Sequence, residues 1–272
     1  MVDKRSIKAA LNARSSHFLS FSLHTYDSVT STNQVLWQLM QEDMPAGTVV
    51  IATQQTAGRG QWGRQWVSSQ GGLYLSVAIA PNIEARDSYL LTFATAWGIT
   101  QQLRDLNIPV EIKWPNDLVL NKLKLGGILT ETKISHGKIT QAVIGVGINY
   151  SNPVPTTGIN MESWLVGATK ALPQTIYSIE ILAEKVLLGI ESGIECLSQD
   201  GVDVLLPKYT SLLTNIGERV YLENVSGTVV GVTSTGCLHV RTLNFDSKSV
   251  NIPDLFLPPG TISLGYRNSQ KL

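Results

Sequence analysis

The sequence feature that most constrains the fold is a glycine-rich stretch, TQQTAGRGQWGRQW, at residues 53–66. Three of its glycines have the spacing G-x-G-x-x-G, which binds dinucleotides where it joins a strand to a helix whose N-terminus holds the pyrophosphate. Residues 47–55 have the β-branched composition of a strand, but residues 71–81 after the glycines also alternate like a strand. The stretch therefore predicts a glycine loop between two strands and argues against a Rossmann-type site.

The glycine loop carries side chains suited to an anionic ligand. Arg59 and Arg64 alternate with the glycines, and Trp62 and Trp66 lie beside them. Glycine-rich backbone forms anion-binding nests, guanidinium groups bind phosphate or carboxylate through paired hydrogen bonds, and tryptophan stacks on flat rings. Because 21 basic residues balance 21 acidic ones, no overall field draws the chain to DNA or anionic lipid. The alternative interpretation is an ordinary solvent-exposed loop with paired turns.

Helix and strand patterns mix over the first 200 or so residues. This mixture predicts an α+β fold with a mixed central β-sheet and flanking helices. Ser31 and Gln34 have capping-box spacing at the start of the first helix, residues 151–174 are predicted to be irregular, and a strand over 110–120 is predicted to break at Trp114-Pro115. The further predicted elements are a strand at 21–26, helices at 86–106, 177–197 and 205–213, and a long hairpin over 124–150.

The pattern changes near Asn215, where helical periodicity ends. Short strands separated by Gly, Asn and Asp turns predict a small all-β, barrel-like domain. The predicted strands there are ERVYLEN at 218–224, GTVVGVT at 227–233, GCLHVRT at 236–242 and SVNIP at 249–253. We therefore predict a solvated N-terminal lead-in at 1–20, a catalytic domain at 21–214 and a C-terminal domain at 215–272.

Composition excludes several classes of function. Cys196 and Cys237 lie in unrelated segments without a C-x-x-C motif, which favours a reduced, cytoplasmic compartment and argues against a structural zinc site. No apolar run approaches the roughly 18 residues that a membrane span needs. The basic, Ser-rich N-terminus faintly resembles a transit peptide, but we interpret it as the lead-in. We expect no membrane and no nucleic-acid partner.

Three segments in a fixed order carry a resemblance to a known family. Together they resemble the biotin protein ligases, which attach biotin to a lysine of biotin-dependent carboxylases. The resemblance covers about residues 22–272 and implies a class II aminoacyl-tRNA synthetase-like catalytic fold followed by an SH3-like barrel. Repressor-type members carry an N-terminal DNA-binding domain, and the short segment before the first strand leads us to expect a form without it. The segments are GRGQWGRQW (58–66), KWPNDL (113–118) and KLGGILTE (124–131), with DSVTSTNQ (27–34) and GVGIN (145–149) in support.

The resemblance implies a two-step reaction. Biotin's carboxylate attacks the α-phosphate of ATP to give biotinyl-5′-AMP, and the ε-amine of a target lysine then attacks that anhydride and releases AMP. The first step brings two anions together, so it needs fixed cations and Mg²⁺. By resemblance, Lys124 contacts the biotin carboxylate and the adenylate, and Asp117 assists the second step or positions Mg²⁺. Arg59 and Arg64 hold phosphate, with Lys113 as a further cation.

The resemblance also assigns the remaining candidate residues, each with a structural alternative. Ser31 and Thr32 have helix capping as the alternative, Asn116 and Asp117 an Asx-turn, and Trp66 plain core packing. Asn149, at the end of the hairpin, has a turn role as its alternative. The predicted ureido-binding residues are Ser31, Thr32, Asn33 and Gln55; the nucleotide-side residues are Gly58, Gly60, Trp66, Asn116 and Asn149; and Gly127 and Gly147 allow close approach of the ligand.

One position departs from the family pattern. Many bacterial members have an arginine where this chain has Gln61, and that arginine helps to retain the adenylate. Gln61 can form hydrogen bonds but has no charge. We therefore hypothesise that biotinyl-AMP is held less tightly here, or that Arg64 compensates.

Two other functions are alternatives to that of a biotin ligase. A lipoate or octanoate ligase or transferase has a related fold and also acylates a lysine, but the glycine loop paired with KWPND favours biotin. A non-catalytic protein that binds biotin or biotinyl-AMP is disfavoured because Lys124 and Asp117 are both present. The expected protein substrate is the biotin carrier domain of acetyl-CoA carboxylase, and the sequence leaves monomer and homodimer open.

Overall fold

The computed structural model of the protein describes residues 2–13, 18–167, 178–222, 225–242, 253–262 and 264–266. Most strands belong to one mixed sheet in the order β1-β2-β3-β8-β7-β6-β5, with β4 paired to β8. Strands β1 and β2 are parallel, and the other neighbours are antiparallel. The strands of this sheet are β1 Ser22–Val29, β2 Thr48–Gln55, β3 Leu73–Ile79, β4 Ile83–Glu84, β5 Glu111–Lys113, β6 Asp117–Leu120, β7 Leu123–Ser135 and β8 Lys138–Ile148.

Helices cover both faces of this sheet. The helices are α1 Lys4–Asn12, α2 Thr32–Gln41, α3 Tyr89–Arg104, α4 Met161–Gly167, α5 Ile179–Gln199 and α6 Val202–Thr210. On one face α3 packs against α5 so closely that a Cβ at Gly193 would lie 2.1 Å from the carbonyl oxygen of Ala94. On the other face α2 buries Leu36 and Met40 against Val50 of β2. The predicted α+β fold is confirmed.

A second sheet follows the helical part of the chain. Its strands are β9 Arg219–Leu222, β10 Val225–Val232, β11 Leu238–Thr242 and β12 Leu255–Leu257, all antiparallel, in the order β12-β11-β10-β9. A register shift between Val229 and Gly231 bends β10. This curled sheet is consistent with the predicted SH3-like barrel. The predicted strand at 249–253 lies outside the described residues except for Pro253, and β12 is a strand that the pattern missed.

The N-terminal segment is not the solvated lead-in that the sequence suggested. Asp3 caps α1 by accepting a hydrogen bond from the backbone of Arg5 at 2.9 Å. The helix packs against α5 and buries Ile7 and Leu11 in the main core, together with Val2. Apolar residues at helical spacing make this contact. They were missed in the sequence because the segment is basic in overall composition.

Three other element predictions need correction or limitation. Strand β1 runs on to Val29, beyond the predicted end at residue 26. Helix α4 interrupts the stretch predicted to be irregular, and residues 168–174 lie outside the described residues, as does Tyr177 at the predicted start of α5. The break at Trp114-Pro115 between β5 and β6 and the long β7–β8 hairpin are confirmed. None of the described helices combines the length and hydropathy that crossing a membrane requires.

Candidate active site

The predicted site residues line one cavity of about 260 Å³ between the glycine loop, the β6–β8 strands and the C-terminal domain. Those that line it are Ser31, Thr32, Asn33, Gln55, Arg59, Gly60, Gln61, Arg64, Trp66, Lys113, Asn116, Asp117, Lys124, Gly127 and Gly147. Gly58 and Asn149 are predicted site residues outside this lining. The sequence-distant motifs therefore meet at one place.

Lys124 and Asp117 form an ion pair in the lining of the cavity. Lys124 lies on β7 and Asp117 begins the neighbouring strand β6, and Lys124 Nζ is 2.6 Å from Asp117 Oδ1. The two side chains are 30% and 17% exposed, so solvent screens the pair only in part. Lys124 Nζ also lies 5.2 Å from the centre of the Trp66 ring. A cation and a carboxylate are thus held in contact on the cavity wall.

The turn that precedes Asp117 is anchored by buried groups. The peptide bond between Trp114 and Pro115 is cis. Trp114 donates its backbone N–H to Asn215 Oδ1 at 2.9 Å and its indole N–H to the carbonyl of Gly236 at 3.0 Å. The buried Tyr209 hydroxyl donates to the carbonyl of Pro115 at 2.9 Å. The C-terminal domain and α6 therefore fix the backbone from which Asp117 projects.

Asn116 ties the same turn to β7. Its side-chain amide donates to the carbonyl of Ile128 at 2.7 Å, and the N–H of Ile128 donates back to the carbonyl of Asn116 at 3.0 Å. This cross-strand pairing replaces the Asx-turn that was the structural alternative for Asn116. It holds Asp117 opposite Gly127, where an added Cβ would lie 3.4 Å from Asp117 Oδ1.

A buried hydrogen-bond network forms the other end of the cavity. Gln55 Oε1 accepts hydrogen bonds from the backbone N–H and the hydroxyl of Thr32, at 2.8 and 3.2 Å. Gln55 Nε2 donates to the Ser68 hydroxyl at 2.7 Å. The Ser76 hydroxyl lies 2.8 Å from Thr32 Oγ1 and 2.6 Å from Asn33 Oδ1. Sequence reasoning missed Ser68 and Ser76 because neither belongs to a motif. The network presents fixed donors and acceptors to a polar ligand group.

The capping-box prediction is wrong. Ser31 has the extended backbone of an N-cap, but its side chain makes no capping hydrogen bond. Gln34 instead accepts a hydrogen bond from the Thr30 hydroxyl at 3.1 Å. Ser31 is buried and lines the cavity, so the residue both precedes the helix and belongs to the site.

The glycine loop folds as a short, tight hairpin. The N–H of Gly60 donates to the carbonyl of Arg64 at 2.7 Å, and the N–H of Trp66 donates to the carbonyl of Gly58 at 2.9 Å. A Cβ at Gly58 would lie 2.4 Å from the Trp66 carbonyl oxygen, so this position needs glycine for the hairpin to close. Trp62, at the tip, has a positive φ of 55° and is half exposed.

Arg59 is engaged by an acidic residue that the sequence did not single out. Arg59 Nη2 lies 2.9 Å from Glu131 Oε2, and the same oxygen accepts a hydrogen bond from Asn33 Nδ2 at 2.9 Å. The side chains of Arg59 and Glu131 are 44% and 27% exposed, which makes this a weak, replaceable ion pair. Arg64 lies 5.7 Å from the centre of the Trp62 ring. Both arginines can therefore turn to an arriving phosphate at small cost.

Trp66 packs across the backbone of β8. A Cβ at Gly147 would lie 2.4 Å from the indole nitrogen of Trp66, so glycine here makes room for the ring. Within the described residues, Trp66 Nε1 and Gln61 Oε1 are buried without a hydrogen-bond partner. Both residues line the cavity, which gives a ligand one donor and one acceptor to satisfy.

Asn149 lies outside the cavity lining, and its predicted contact with the adenylate stays a prediction. Its buried side-chain amide donates to the carbonyls of Lys124 and Ile159, both at 3.3 Å, and its oxygen accepts from Asn152 at 3.0 Å. The residue supports the backbone of Lys124 from behind. Lys124 is therefore braced by Asn149 on the side away from the cavity.

Lys113 and the C-terminal segment meet at the edge of the cavity. Burial lowers the pKa of Lys113, and the negative charges of Asp117 and Glu218 oppose that shift. Lys113 Nζ donates to the carbonyl of Gly265 and lies 3.6 Å from the centre of the Tyr266 ring. The Tyr266 hydroxyl donates to Asp117 Oδ2 at 2.5 Å. No motif pointed to Tyr266, because its partner is 149 positions away in the chain.

Comparisons with known proteins indicate the family of this chain. The model of the biotin/lipoate A/B protein ligase family matches residues 26–149. The bifunctional ligase/repressor BirA of Bacillus subtilis is 27% identical over 223 residues, which cover 80% of this chain and 68% of that protein. BirA of Escherichia coli is 30% identical over 220 residues, covering 77% and 66%. This chain belongs to the biotin/lipoate A/B protein ligase family.

A solved structure agrees with the same family. The biotin protein ligase of Aquifex aeolicus in complex with biotin and ATP superimposes with a TM-score of 0.62 at 25% identity, covering 81% of this chain and 92% of that one. The family match contains Lys124 and Asp117 and ends before the C-terminal domain. Tyr266 therefore lies outside the matched residues, whereas Asp117 and Lys113, which it contacts, lie within them.

The prediction that Asp117 positions Mg²⁺ stays a prediction. Among the described residues, no group of three or more His, Cys, Asp or Glu side chains could hold a metal ion. Asp117 has one oxygen paired with Lys124 and the other with Tyr266. In enzymes of phosphate chemistry, Mg²⁺ is commonly bound through substrate phosphates and few protein ligands. Binding of that kind does not require a cluster of three protein ligands.

Proposed function

We propose that this chain is a biotin protein ligase that activates biotin with ATP and transfers it to a lysine of a biotin carrier domain, that of acetyl-CoA carboxylase. The observation that carries the proposal is the Lys124–Asp117 pair at 2.6 Å, set between a fixed polar network and a group of cations. Family membership and the likeness to a ligase solved with biotin and ATP support the choice of substrates.

In the first step, the polar network at Thr32, Asn33 and Gln55 receives the ureido ring and directs the carboxylate toward Lys124. The carboxylate oxygen attacks the α-phosphorus, the bond to the β-phosphate oxygen breaks, and pyrophosphate leaves. Lys124 brings the two anions together, while Lys113 and Arg59 offset phosphate charge. Burial lowers the pKa of Lys113, and a bound phosphate would favour the charged form of this side chain.

In the second step, Asp117 receives the ε-amino group of the target lysine. The carboxylate holds the ammonium form, takes its proton and orients the neutral nitrogen toward the carbonyl carbon of biotinyl-AMP. The new amide bond forms, the second excess proton leaves the nitrogen for solvent, and the anhydride bond to AMP breaks. Lys124 remains beside the leaving phosphate and stabilises its charge.

The domain division and the compartment belong to the same proposal. A boundary near Asn215 divides the chain, since β9 begins at Arg219 and the strands after it form a separate sheet. Cys196 and Cys237 are both free thiols, which supports a cytoplasmic location. The balanced charge supports a role without nucleic acid.

The test is biotin-dependent exchange between ATP and pyrophosphate, with lipoate and octanoate as rival acids. Exchange with biotin alone is expected. Exchange with lipoate or octanoate would assign the chain to the other branch of the family, and a folded protein without exchange for any acid would overturn the adenylation step. Labelling of a carrier domain, compared with the same domain lacking its target lysine, tests the second step.

A further inference from the structure

The C-terminal segment, defined here as residues 258–262 and 264–266, forms a wall between two cavities. One is the active-site cavity, and the other is a groove of about 490 Å³ between β5, β9 and the turn at Asn215. Ile262, Leu264, Gly265 and Tyr266 line both, as does Lys113. Movement of this segment would therefore join the groove to the active site.

Tyr266 is the residue of this segment that reaches the reacting groups. Its hydroxyl donates to Asp117 Oδ2 at 2.5 Å, while Asp117 Oδ1 is paired with Lys124 at 2.6 Å. Burial and the nearby Asp117 charge raise the pKa of Tyr266, so its hydroxyl keeps the proton that it donates. Both oxygens of the Asp117 carboxylate are therefore occupied by side chains of the protein itself.

This occupancy conflicts with the second step as proposed above. The target lysine must bring its ε-nitrogen to Asp117, and Lys124 must stay beside the adenylate, so Oδ2 is the oxygen left for the target lysine. Tyr266 places a hydrogen-bond donor at that oxygen, in the position that an ammonium nitrogen would take. The groove lies on the far side of Tyr266, which separates it from Asp117 and lines both cavities.

We propose that Tyr266 is a gate for the target lysine: its hydroxyl holds Asp117 Oδ2 until the lysine of the carrier domain, entering by the groove, displaces it. The proposal rests on the proposed function, since it needs a lysine as the acceptor. Until displacement, the neutral phenol keeps Asp117 from binding water or unrelated amines. The face of the Tyr266 ring stays against Lys113, and only the hydroxyl group acts as the gate.

The test is Tyr266→Phe, which removes the hydroxyl and retains the ring over Lys113. The transfer of biotin from preformed biotinyl-AMP to a biotin carrier domain is measured in a single turnover at limiting carrier. The rate is expected to rise by about tenfold or more, the kinetic equivalent of one hydrogen bond to a carboxylate that need not be broken. Tyr150→Phe, which removes a hydroxyl outside both cavities, is the matched control and is expected to keep the wild-type rate.

Biotin-dependent ATP–pyrophosphate exchange by the wild type separates the two hypotheses. No exchange by the wild type would reject the proposed function itself. With exchange intact, a slower transfer by Tyr266→Phe would show that the hydroxyl positions Asp117, and an unchanged transfer would show that the contact has no kinetic role. Either result would overturn the gate. Tyr266→Ala, which also removes the ring, is expected to increase the rate of transfer as well.

Discussion

The KWPND turn and the glycine loop both supply charged groups to the cavity, but they are held in different ways. The turn is anchored by buried side chains of distant elements, Tyr209 and Asn215, which bond its backbone. The glycine loop is held mainly by backbone hydrogen bonds within itself. Its side-chain links to the rest of the protein include the half-exposed pair of Arg59 with Glu131. Asp117 is therefore preformed, whereas the loop arginines can be rearranged by a ligand.

This difference divides the work of the site. Groups that must act at a fixed position, such as Asp117 and Lys124, lie on strands whose backbone is braced from behind. Groups that enclose a nucleotide must first let it in, and they lie on glycine-rich backbone with few buried contacts. We therefore expect changes in the turn to affect both stability and chemistry, and changes in the loop to affect ligand binding alone.

The largest effect is expected from Lys124→Met, which removes the braced cation and nearly preserves side-chain length. Loss of a preorganised charge at the reacting carboxylate should lower the exchange rate by about 10²- to 10³-fold. Lys138→Met, at an exposed position on the partner strand β8, is the control and should keep the wild-type rate. If the exchange rate of Lys124→Met is within threefold of the wild-type rate, a difference of about 0.6 kcal/mol in activation free energy, Lys124 does not have this role.

Asn215→Ala tests the anchoring of the turn. It leaves the buried backbone N–H of Trp114 without its acceptor, so the free energy of unfolding should fall by about 1–3 kcal/mol. The exchange rate should fall with it, because the turn positions Asp117. Urea denaturation and exchange assays give the two values. Unchanged stability would mean that the turn is no better held than the loop, and the contrast between them would be lost.

Arg59→Ala makes the opposite prediction for the loop. Because the Arg59–Glu131 pair is partly exposed, its loss should change the free energy of unfolding by less than about 1 kcal/mol. The Michaelis constant for ATP should rise about tenfold, as expected for one charge-assisted hydrogen bond to phosphate. A stability loss as large as that of Asn215→Ala would show that the loop is a structural element after all.

The next prediction concerns the pH dependence of ATP binding, which tests the role of Lys113 next to the turn. A lysine binds phosphate in its charged form, which is present below its pKa. Because burial lowers that pKa, ATP affinity should begin to fall at a lower alkaline pH than for an exposed lysine. Lys113→Arg should remove this decline, since arginine stays charged. If calorimetric titrations show that wild type and Lys113→Arg lose ATP affinity at the same alkaline pH, Lys113 does not cause the decline.

The smallest effect is expected from Gln61→Arg in the loop. An added charge beside the adenylate should slow its dissociation, and dissociation can be followed by chasing labelled biotinyl-AMP. Gln61→Glu keeps the size of the glutamine side chain and adds a negative charge, so it should speed the dissociation of biotinyl-AMP. Equal dissociation rates for wild type and Gln61→Arg would reject the hypothesis that Gln61 weakens retention.

The sequence predicted the parts of the molecule that are encoded locally. Strand alternation and a proline placed the β7–β8 hairpin and the break before Asp117, and the motifs assembled most of the cavity. Contacts between distant positions have no local pattern, which is why Tyr266, Glu131 and Ser76 were missed. The capping box failed for a related reason, since the spacing of Ser31 and Gln34 satisfies a local rule that the tertiary surroundings override.

One oxygen atom joins the two ends of the ligand site. Glu131 Oε2 accepts from Asn33, in the polar network, and from Arg59, in the glycine loop. A ligand that draws Asn33 away changes what Arg59 binds, so the free energies of binding at the two ends are not independent. Thermodynamic reciprocity then requires that biotin strengthen or weaken ATP binding by the same factor as ATP does biotin. We therefore expect Glu131 to couple the binding of the two substrates.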